Sequence, residues 1–161
     1  MDSKIELRKP KKEDAKKIVN LIKIGGTLDL NSEYLYLLQT THFQESCCVA
    51  VYKDEIVGFV SGYMIPQKNE QLFIWQVAVA KALRGQNLAM RMIMYIVDKL
   101  NVNYIISTVS PSNHSSIRVF QKIAQSLNTN IVDEVLFKIS DFNDAHEEEV
   151  QYTIGPFTKK Q

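Results

Sequence analysis

The chain has 161 residues, with Lys plus Arg at 19 and Asp plus Glu at 18, for a formal charge of +1. A chain of this length fits one domain and buries about 70% of its unfolded surface, so a core needs neither disulfide nor structural metal. The near-neutral balance removes any electrostatic reason to expect nucleic acid or an anionic membrane as partner, and 45% hydrophobic with 23% charged residues is an ordinary globular composition.

In chain order, Ile5-Glu6-Leu7-Arg8 alternates and predicts a short strand, stopped by Pro10. Glu13 to Ile24 places Ile18, Val19, Leu21 and Ile22 at helical spacing and ends at Gly25-Gly26. Asn31 and Ser32 suit the cap of a second helix with Tyr34, Leu35 and Leu38 on one side. Cys47 to Tyr52 and Ile56 to Met64 read as a hairpin around Lys53-Asp54-Glu55, and Leu72 to Ala80 as a third strand. Leu83 to Ala89 then leads into a long helix with Met90, Ile93, Met94, Ile96 and Val97. Tyr104 to Val109 is a strand, and Asn113 or Ser115 opens a helix with Ile117, Phe120, Ile123, Ala124 and Leu127. Ile131 to Ile139 is a strand, Asp141 to Glu149 an acidic loop, and Val150 to Ile154 a last strand. This order predicts an α/β sheet with antiparallel and parallel pairs, in one domain over 1–157 with a disordered tail at 158–161.

Cys47 and Cys48 are adjacent, a spacing at which a disulfide is hard to close, and no Cys/His spacing resembles a zinc site. They read as strand-filling residues of a reducing compartment, and no metal is expected. The polar start Met1-Asp2-Ser3-Lys4 shows no signal peptide and no apolar run approaches the roughly 18 residues of a membrane span, so the cytoplasm is expected.

The most informative segment is Val77-Ala78-Val79 followed by Arg84 to Ala89. A buried strand turns directly into a helix, whose N-terminus offers unpaired N–H groups and about half a positive charge to a pyrophosphate. Gly85 and Ala89 are small enough for oxygens to approach the backbone, and Arg84 adds a charge of undetermined direction. A Gly in such a turn is by itself more often only a turn. The segment is neither a Walker A loop nor a dinucleotide fingerprint.

Arg84-x-x-Asn87-x-Ala89 resembles the acetyl-CoA motif of the GNAT superfamily, Gln/Arg-x-x-Gly-x-Gly/Ala, and departs from it at Asn87. Asn is the non-glycine residue best suited to a left-handed backbone. The element order matches that superfamily over nearly the whole chain. The resemblance implies the GNAT fold: a mixed, twisted sheet of six to seven strands with helices on both faces. It implies acetyl-CoA as cosubstrate, held by Val77, Val79, Arg84, Gly85, Gln86, Asn87, Leu88, Ala89, Asn113 and Arg118. A Tyr often found on the later helix as acid for the leaving thiolate is matched here by Phe120, so that proton must come from elsewhere.

Further stretches resemble one family, the L-2,4-diaminobutyrate acetyltransferases of ectoine synthesis. They are Leu28-Asp29-Leu30-Asn31-Ser32-x-Tyr34, Thr41-His42-Phe43, Gly58-x-x-Ser61-Gly62-Tyr63 and Leu72-Phe73-x-Trp75-Gln76-Val77-Ala78-Val79. Thr108-Val109-Ser110-Pro111-x-Asn113, His146-Glu147-x-Glu149 and Ile154-Gly155-Pro156 complete them. The resemblance implies transfer to the γ-amine of diaminobutyrate, in a homodimer. A GNAT enzyme for another small diamine or for protein amines, and an inactive acyl-CoA-binding module, are the alternatives left open.

The physical reading of such a substrate is consistent. Diaminobutyrate carries two ammonium groups and one carboxylate, so its site needs acidic residues, for which Asp29, Glu147 and Glu149 are candidates. Only the neutral amine attacks the thioester, so a proton acceptor and N–H donors for the oxyanion are also needed. The catalytic candidates are Asp29, Tyr34 and Glu149; the substrate-binding candidates are Asp29, Asn31, Tyr34, Trp75, Gln76, Glu147 and Glu149. Each has a plainer reading: Asp29 as a helix cap, Tyr34 and Trp75 as core, Glu147 to Glu149 as a solvated charge run. His42 and His146 are more often structural than catalytic, and Arg118 meets CoA phosphates or faces water.

Overall fold

The computed structural model describes residues 4–26 and 28–158. Of the expected disordered tail, residues 159–161 lie outside the described residues. The chain divides into two compact units, residues 4–63 with 74–101 and residues 64–73 with 102–158.

The first unit contains strands β1 (Glu6–Arg8) and β2 (Cys48–Tyr52), β3 (Glu55–Met64) except Met64, and the greater part of β4 (Gln71–Val79), neighbours in that order. β1 pairs antiparallel with β2, and β2 with β3. The hairpin turn is one residue shorter than its expected Lys53-Asp54-Glu55. Lys53 (φ 49°) and Asp54 (φ 63°) form the turn, and Glu55 already pairs with Tyr52. Two residues at positive φ match the twist of the flanking strands, so a third is not needed.

Helix α1 (Ala15–Gly25) buries Ile18, Val19 and Ile22. Gly25 remains helical, and Gly26 at φ 66° ends the helix by donating its N–H to the Ile22 carbonyl at 3.2 Å. Helix α2 (Glu33–Gln39) starts as expected at Ser32, whose hydroxyl accepts the Leu35 N–H at 3.2 Å. Its buried face differs from the expectation. Tyr36 and Gln39 point inward, whereas Tyr34 is 68% exposed. The apolar count favoured Tyr34, but Tyr36 has both an aromatic wall, the Phe59 ring 6.2 Å away, and a partner for its hydroxyl. Helix α3 (Leu88–Lys99) buries Leu88, Met92, Ile93, Ile96 and Val97, so Leu88 and Met92 take the place of Met90 and Met94 in the expected stripe. The core of this unit gathers Ile18, Ile22, Tyr36, Val49, Ile56, Phe59 and Ala78.

One ion pair ties β1 to the turn before α1. Arg8 Nη1 and Nη2 grip Asp14 Oδ2 and Oδ1 at 2.7 and 3.0 Å, and the Lys11 N–H donates to Oδ2 at 2.8 Å. Burial pushes the Asp14 carboxyl up, but the Arg8 and Lys11 hydrogen bonds and the Arg8 charge outweigh it, and the net shift is downward. A carboxyl lowered in the folded state stabilises above its unfolded value, about 3.9, and loses that contribution as pH falls through the folded value. Asp14→Asn is therefore expected to cost about 2 kcal/mol near neutral pH. In thermal unfolding, the gap from the parent should hold from pH 6 to 8 and narrow below about pH 4. A gap unchanged at low pH would mean that the lost contribution is packing rather than charge.

The second unit carries β5 (Tyr104–Val109), α4 (His114–Ser126), β6 (Ile131–Phe137) and β7 (Glu149–Ile154), with strand order β5-β7-β6. β7 pairs antiparallel with both neighbours: Ile154 lies opposite Ile105 and Ile131, and Val150 opposite Val109 and Val135. Asn113 is the cap of α4, its Oδ1 accepting the Ser116 N–H at 3.3 Å, which decides between Asn113 and Ser115. Phe120, Ile123 and Ala124 are buried. β6 stops at Phe137, two residues earlier than expected, because Ile139–Asp141 turns into a single 3₁₀ turn closed by the Asp141 carboxylate on the Lys138 N–H. Glu149, expected at the end of the acidic loop, is the first residue of β7.

Candidate active site

The loop between β4 and α3 has the backbone its sequence calls for. After a 3₁₀ turn at Lys81–Leu83, Arg84 is extended, Gly85 lies at φ 83° and Asn87 at φ 59°, ψ 21°. Asn87 thus holds the left-handed conformation where the motif usually has Gly, which few side chains tolerate as well as Asn. The buried Leu88 anchors the first turn while Gly85, Gln86 and Asn87 stay exposed and Ala89 half-buried. The first turn of α3 holds no acidic residue. The positive end of the helix is therefore not neutralised by an acidic side chain in its own first turn, an arrangement that fits a diphosphate.

Arg84 has a definite direction. Its Nε donates to the Val79 carbonyl at 3.1 Å, and a Cβ built at Gly25 would sit 3.7 Å from its Nη2. The guanidinium thus braces the loop against the end of β4. Val77 and Val79 are half-buried. Just before them, the Gln76 N–H is taken by Ser61 Oγ at 3.0 Å, so it is not a donor for an oxyanion.

β4 alternates as expected, with Gln76 buried and Trp75 on the opposite face. Trp75 is not core: it is 46% exposed and meets the Tyr63 ring edge-on at 6.2 Å. A rigid, half-open indole can line a site for a short methylene chain. On the other face lies a buried polar chain. Gln76 Nε2 donates to the Asp29 carbonyl at 2.7 Å, Gln76 Oε1 accepts from Tyr36 Oη at 3.0 Å, and Tyr36 Oη accepts the Asn31 N–H at 3.2 Å. The Asp29 main chain, and not its carboxylate, is what Gln76 holds, and the side chain is exposed. The reading of Asp29 as a helix cap fails, since Ser32 fills that role. Tyr34 is exposed rather than core.

In the second unit, the acidic tail is not a free charge run. Glu147 accepts from the Ser112 N–H at 3.2 Å and from its hydroxyl at 2.5 Å, and Glu149 Oε2 accepts from Ser110 Oγ at 2.6 Å. His146 stacks on Phe142, ring centroids 4.0 Å apart. Asn113 spends its Oδ1 on the helix cap, and Arg118 is exposed on α4.

Tyr36, Ser61, Ser110 and Ser112 carry these networks, yet residue type and spacing gave them no role. Ser61 and Ser110 stand inside stretches that resemble the diaminobutyrate family, and that was their one visible signal. Phe120 is 2% exposed, a packing residue. Burial pushes the Cys47 and Cys48 thiols up to about 12, which leaves no thiolate nucleophile at neutral pH. Among the described residues no group of acidic, His or Cys side chains is arranged to hold a metal. A hollow of about 300 Å³ lined by Lys9, Glu45, Cys47, Tyr95, Ile96 and Lys99 contains none of the expected site residues.

Known proteins place this geometry. The profile of the acetyltransferase (GNAT) family matches residues 16–124. An L-2,4-diaminobutyric acid acetyltransferase of Methylotuvimicrobium alcaliphilum is 42% identical, over 98% of this chain and 94% of its own. One from Marinococcus halophilus is 41% identical over 94% and 90%. Among solved structures, the diaminobutyrate acetyltransferase EctA of Paenibacillus lautus, in complex with its substrate L-2,4-diaminobutyric acid and coenzyme A, superposes with a TM-score of 0.92 at 35% identity, over 99% of each chain. Ard1 from Thermoplasma volcanium, 17% identical with a TM-score of 0.71 over 92% of this chain and 95% of its own, shares the fold. With seven strands and four α-helices in this order among the described residues and the expected turn at Gly85 to Asn87, the chain belongs to the acetyltransferase (GNAT) family, among its L-2,4-diaminobutyric acid acetyltransferases.

Proposed function

We propose that this chain transfers the acetyl group of acetyl-CoA to the γ-amine of L-2,4-diaminobutyrate, giving Nγ-acetyl-2,4-diaminobutyrate for ectoine, a compatible solute made under osmotic stress. The observation that carries the reading is the near end-to-end match to diaminobutyric acid acetyltransferases, together with a left-handed Asn87 that preserves the cofactor turn.

The transfer is direct. The neutral amine attacks the thioester carbonyl, a C–N bond forms, the C–S bond breaks, the amine gives up a proton and the thiolate of CoA gains one. The exposed N-terminus of α3 holds the diphosphate, with Gln86, Leu88 and Ala89 supplying loop and first-turn backbone. The N–H groups of β4 beyond Gln76, near Val77, face the developing oxyanion, and Val79 meets the pantetheine arm. The Asp29 carboxylate pairs with an ammonium group, with Asn31 beside it in the same loop. Trp75 lines the methylenes, and the exposed Tyr34 hydroxyl serves the substrate or the leaving thiolate. In the second unit, Glu147 and Glu149 are the remaining acidic candidates, each oriented by a serine, and Asn113 and Arg118 the remaining CoA candidates.

The reading includes one catalytic domain over residues 1–157, a cytoplasmic setting and a homodimer. Cys47 and Cys48 as buried free thiols support a reducing compartment. Val132, Val135, Leu136 and Phe137, exposed along the outer strand β6, support a second copy as partner. The decisive experiment is turnover of acetyl-CoA by purified protein with 2,4-diaminobutyrate, ornithine, lysine and a polyamine. Diaminobutyrate is expected to have the highest kcat/KM. Faster turnover of another amine overturns the substrate, and acetyl-CoA binding without thiol release overturns the enzyme.

A further inference from the structure

The Leu28-to-Ser32 loop carries the exposed Asp29 carboxylate, yet neither strand nor helix holds it. Its main chain is held instead by side chains on both sides of Leu30. The Asp29 carbonyl accepts from Gln76 Nε2 at 2.7 Å and the Asn31 N–H donates to Tyr36 Oη at 3.2 Å. These two anchors are one unit, because Tyr36 Oη donates to Gln76 Oε1 at 3.0 Å. The unit is itself fixed. Tyr36 is fully buried against Phe59, and the Gln76 main chain is held by the fully buried Ser61 hydroxyl at 3.0 Å.

Each link in this chain is a hydrogen bond made within the protein. Gln76 is 8% exposed, and both ends of its amide are bonded within the protein. We propose that Tyr36 and Gln76 are positioning residues for the amine substrate, locking the Asp29 loop onto β4 so that the carboxylate is presented in one place. This rests on the reading of Asp29 as the ammonium partner. It changes the expected role of Gln76: the side chain acts through the Asp29 main chain instead of touching substrate. The physical reason is entropic. A carboxylate on an unrestrained loop loses loop freedom each time it binds, whereas a clamped one has lost it on folding.

A double-mutant cycle with Tyr36→Phe and Asp29→Asn tests this, with steady-state kinetics on diaminobutyrate and calorimetry with CoA. Tyr36→Phe keeps the ring and removes only the hydroxyl. It is expected to raise KM for the diamine about tenfold, with kcat lowered less and the CoA dissociation constant within about twofold. In the Asp29→Asn background the same change is expected to add less than about twofold, because the group being positioned is gone. A full tenfold effect in both backgrounds, or equal weakening of CoA and diamine, makes Tyr36 merely structural and overturns the proposal. If Asp29→Asn alone leaves KM and kcat unchanged, the reading of Asp29 falls first, and the cycle shows which of the two has failed. Should Tyr36→Phe not fold, Gln76→Met breaks the same clamp from β4 and is read by the same cycle.

Discussion

Asp29→Asn is expected to lower kcat/KM for 2,4-diaminobutyrate by about 30- to 100-fold, while the dissociation constant for CoA stays within about twofold. A hydrogen bond between an ammonium and a carboxylate contributes about 1.5–3 kcal/mol, and each 1.4 kcal/mol is a factor of ten. Asn keeps the size of the side chain and the main-chain carbonyl that Gln76 Nε2 holds, so the loop is expected to stay in place. The substitution therefore removes charge without removing the anchor. The control is Glu33→Gln, an exposed carboxylate in the first turn of α2 with no assigned role. A loss there equal to that at Asp29 would mean that only general electrostatic attraction is being read, which salt would also screen. An unchanged Asp29→Asn enzyme would take away the substrate site built on this loop.

The second large effect concerns the turn proposed to hold the cofactor. Asn87→Val is expected to weaken CoA binding at least tenfold, and Asn87→Gly to leave it within about threefold of the parent. The two differ because of φ 59° at this position. Gly adopts that conformation freely, whereas a β-branched residue pays about 1–2 kcal/mol or forces the turn to reshape, moving the N–H groups off the phosphates. Gly85→Val, at φ 83° with open space where its Cβ would be, is expected to act like Asn87→Val through strain and not through collision. Thermal stability is expected to fall by no more than that strain, about 1–2 kcal/mol, since residues 85–87 are exposed and bury no core. Isothermal titration with CoA decides it. Equal affinity for the Val and Gly variants would mean that this turn does not carry the diphosphate.

The second prediction was legible in the chain from the start, while the clamp around Asp29 was not. Ser32 before an apolar helix, Gly26 after one, Lys53-Asp54 between two strands and Asn87 before Leu88 each act on their own backbone, within a turn of chain. Local chemistry suffices to read them, and the elements appear within a few residues of where spacing puts them. Which tyrosine of α2 turns inward does not follow from the helix by itself. Tyr34 and Tyr36 have the same side chain two positions apart, and the choice is made by Phe59 and by Gln76, 40 residues further along. Glu147 and Glu149 read as a charge run for the same reason. Ser112 and Ser110, 35 and 39 residues earlier, are what turn two of those carboxylates into oriented acceptors.

Residue order alone carried the family, the succession of strands and helices, and the left-handed turn before α3. Repeating periods, caps and turn residues express themselves through nearest neighbours. It took the folded chain to bury Tyr36 and not Tyr34, to bond the Gln76 amide within the protein, and to stand Trp75 half-open beside Tyr63. A hydroxyl or an amide has no preferred partner until folding brings one within about 3 Å, and burial then makes that bond obligatory.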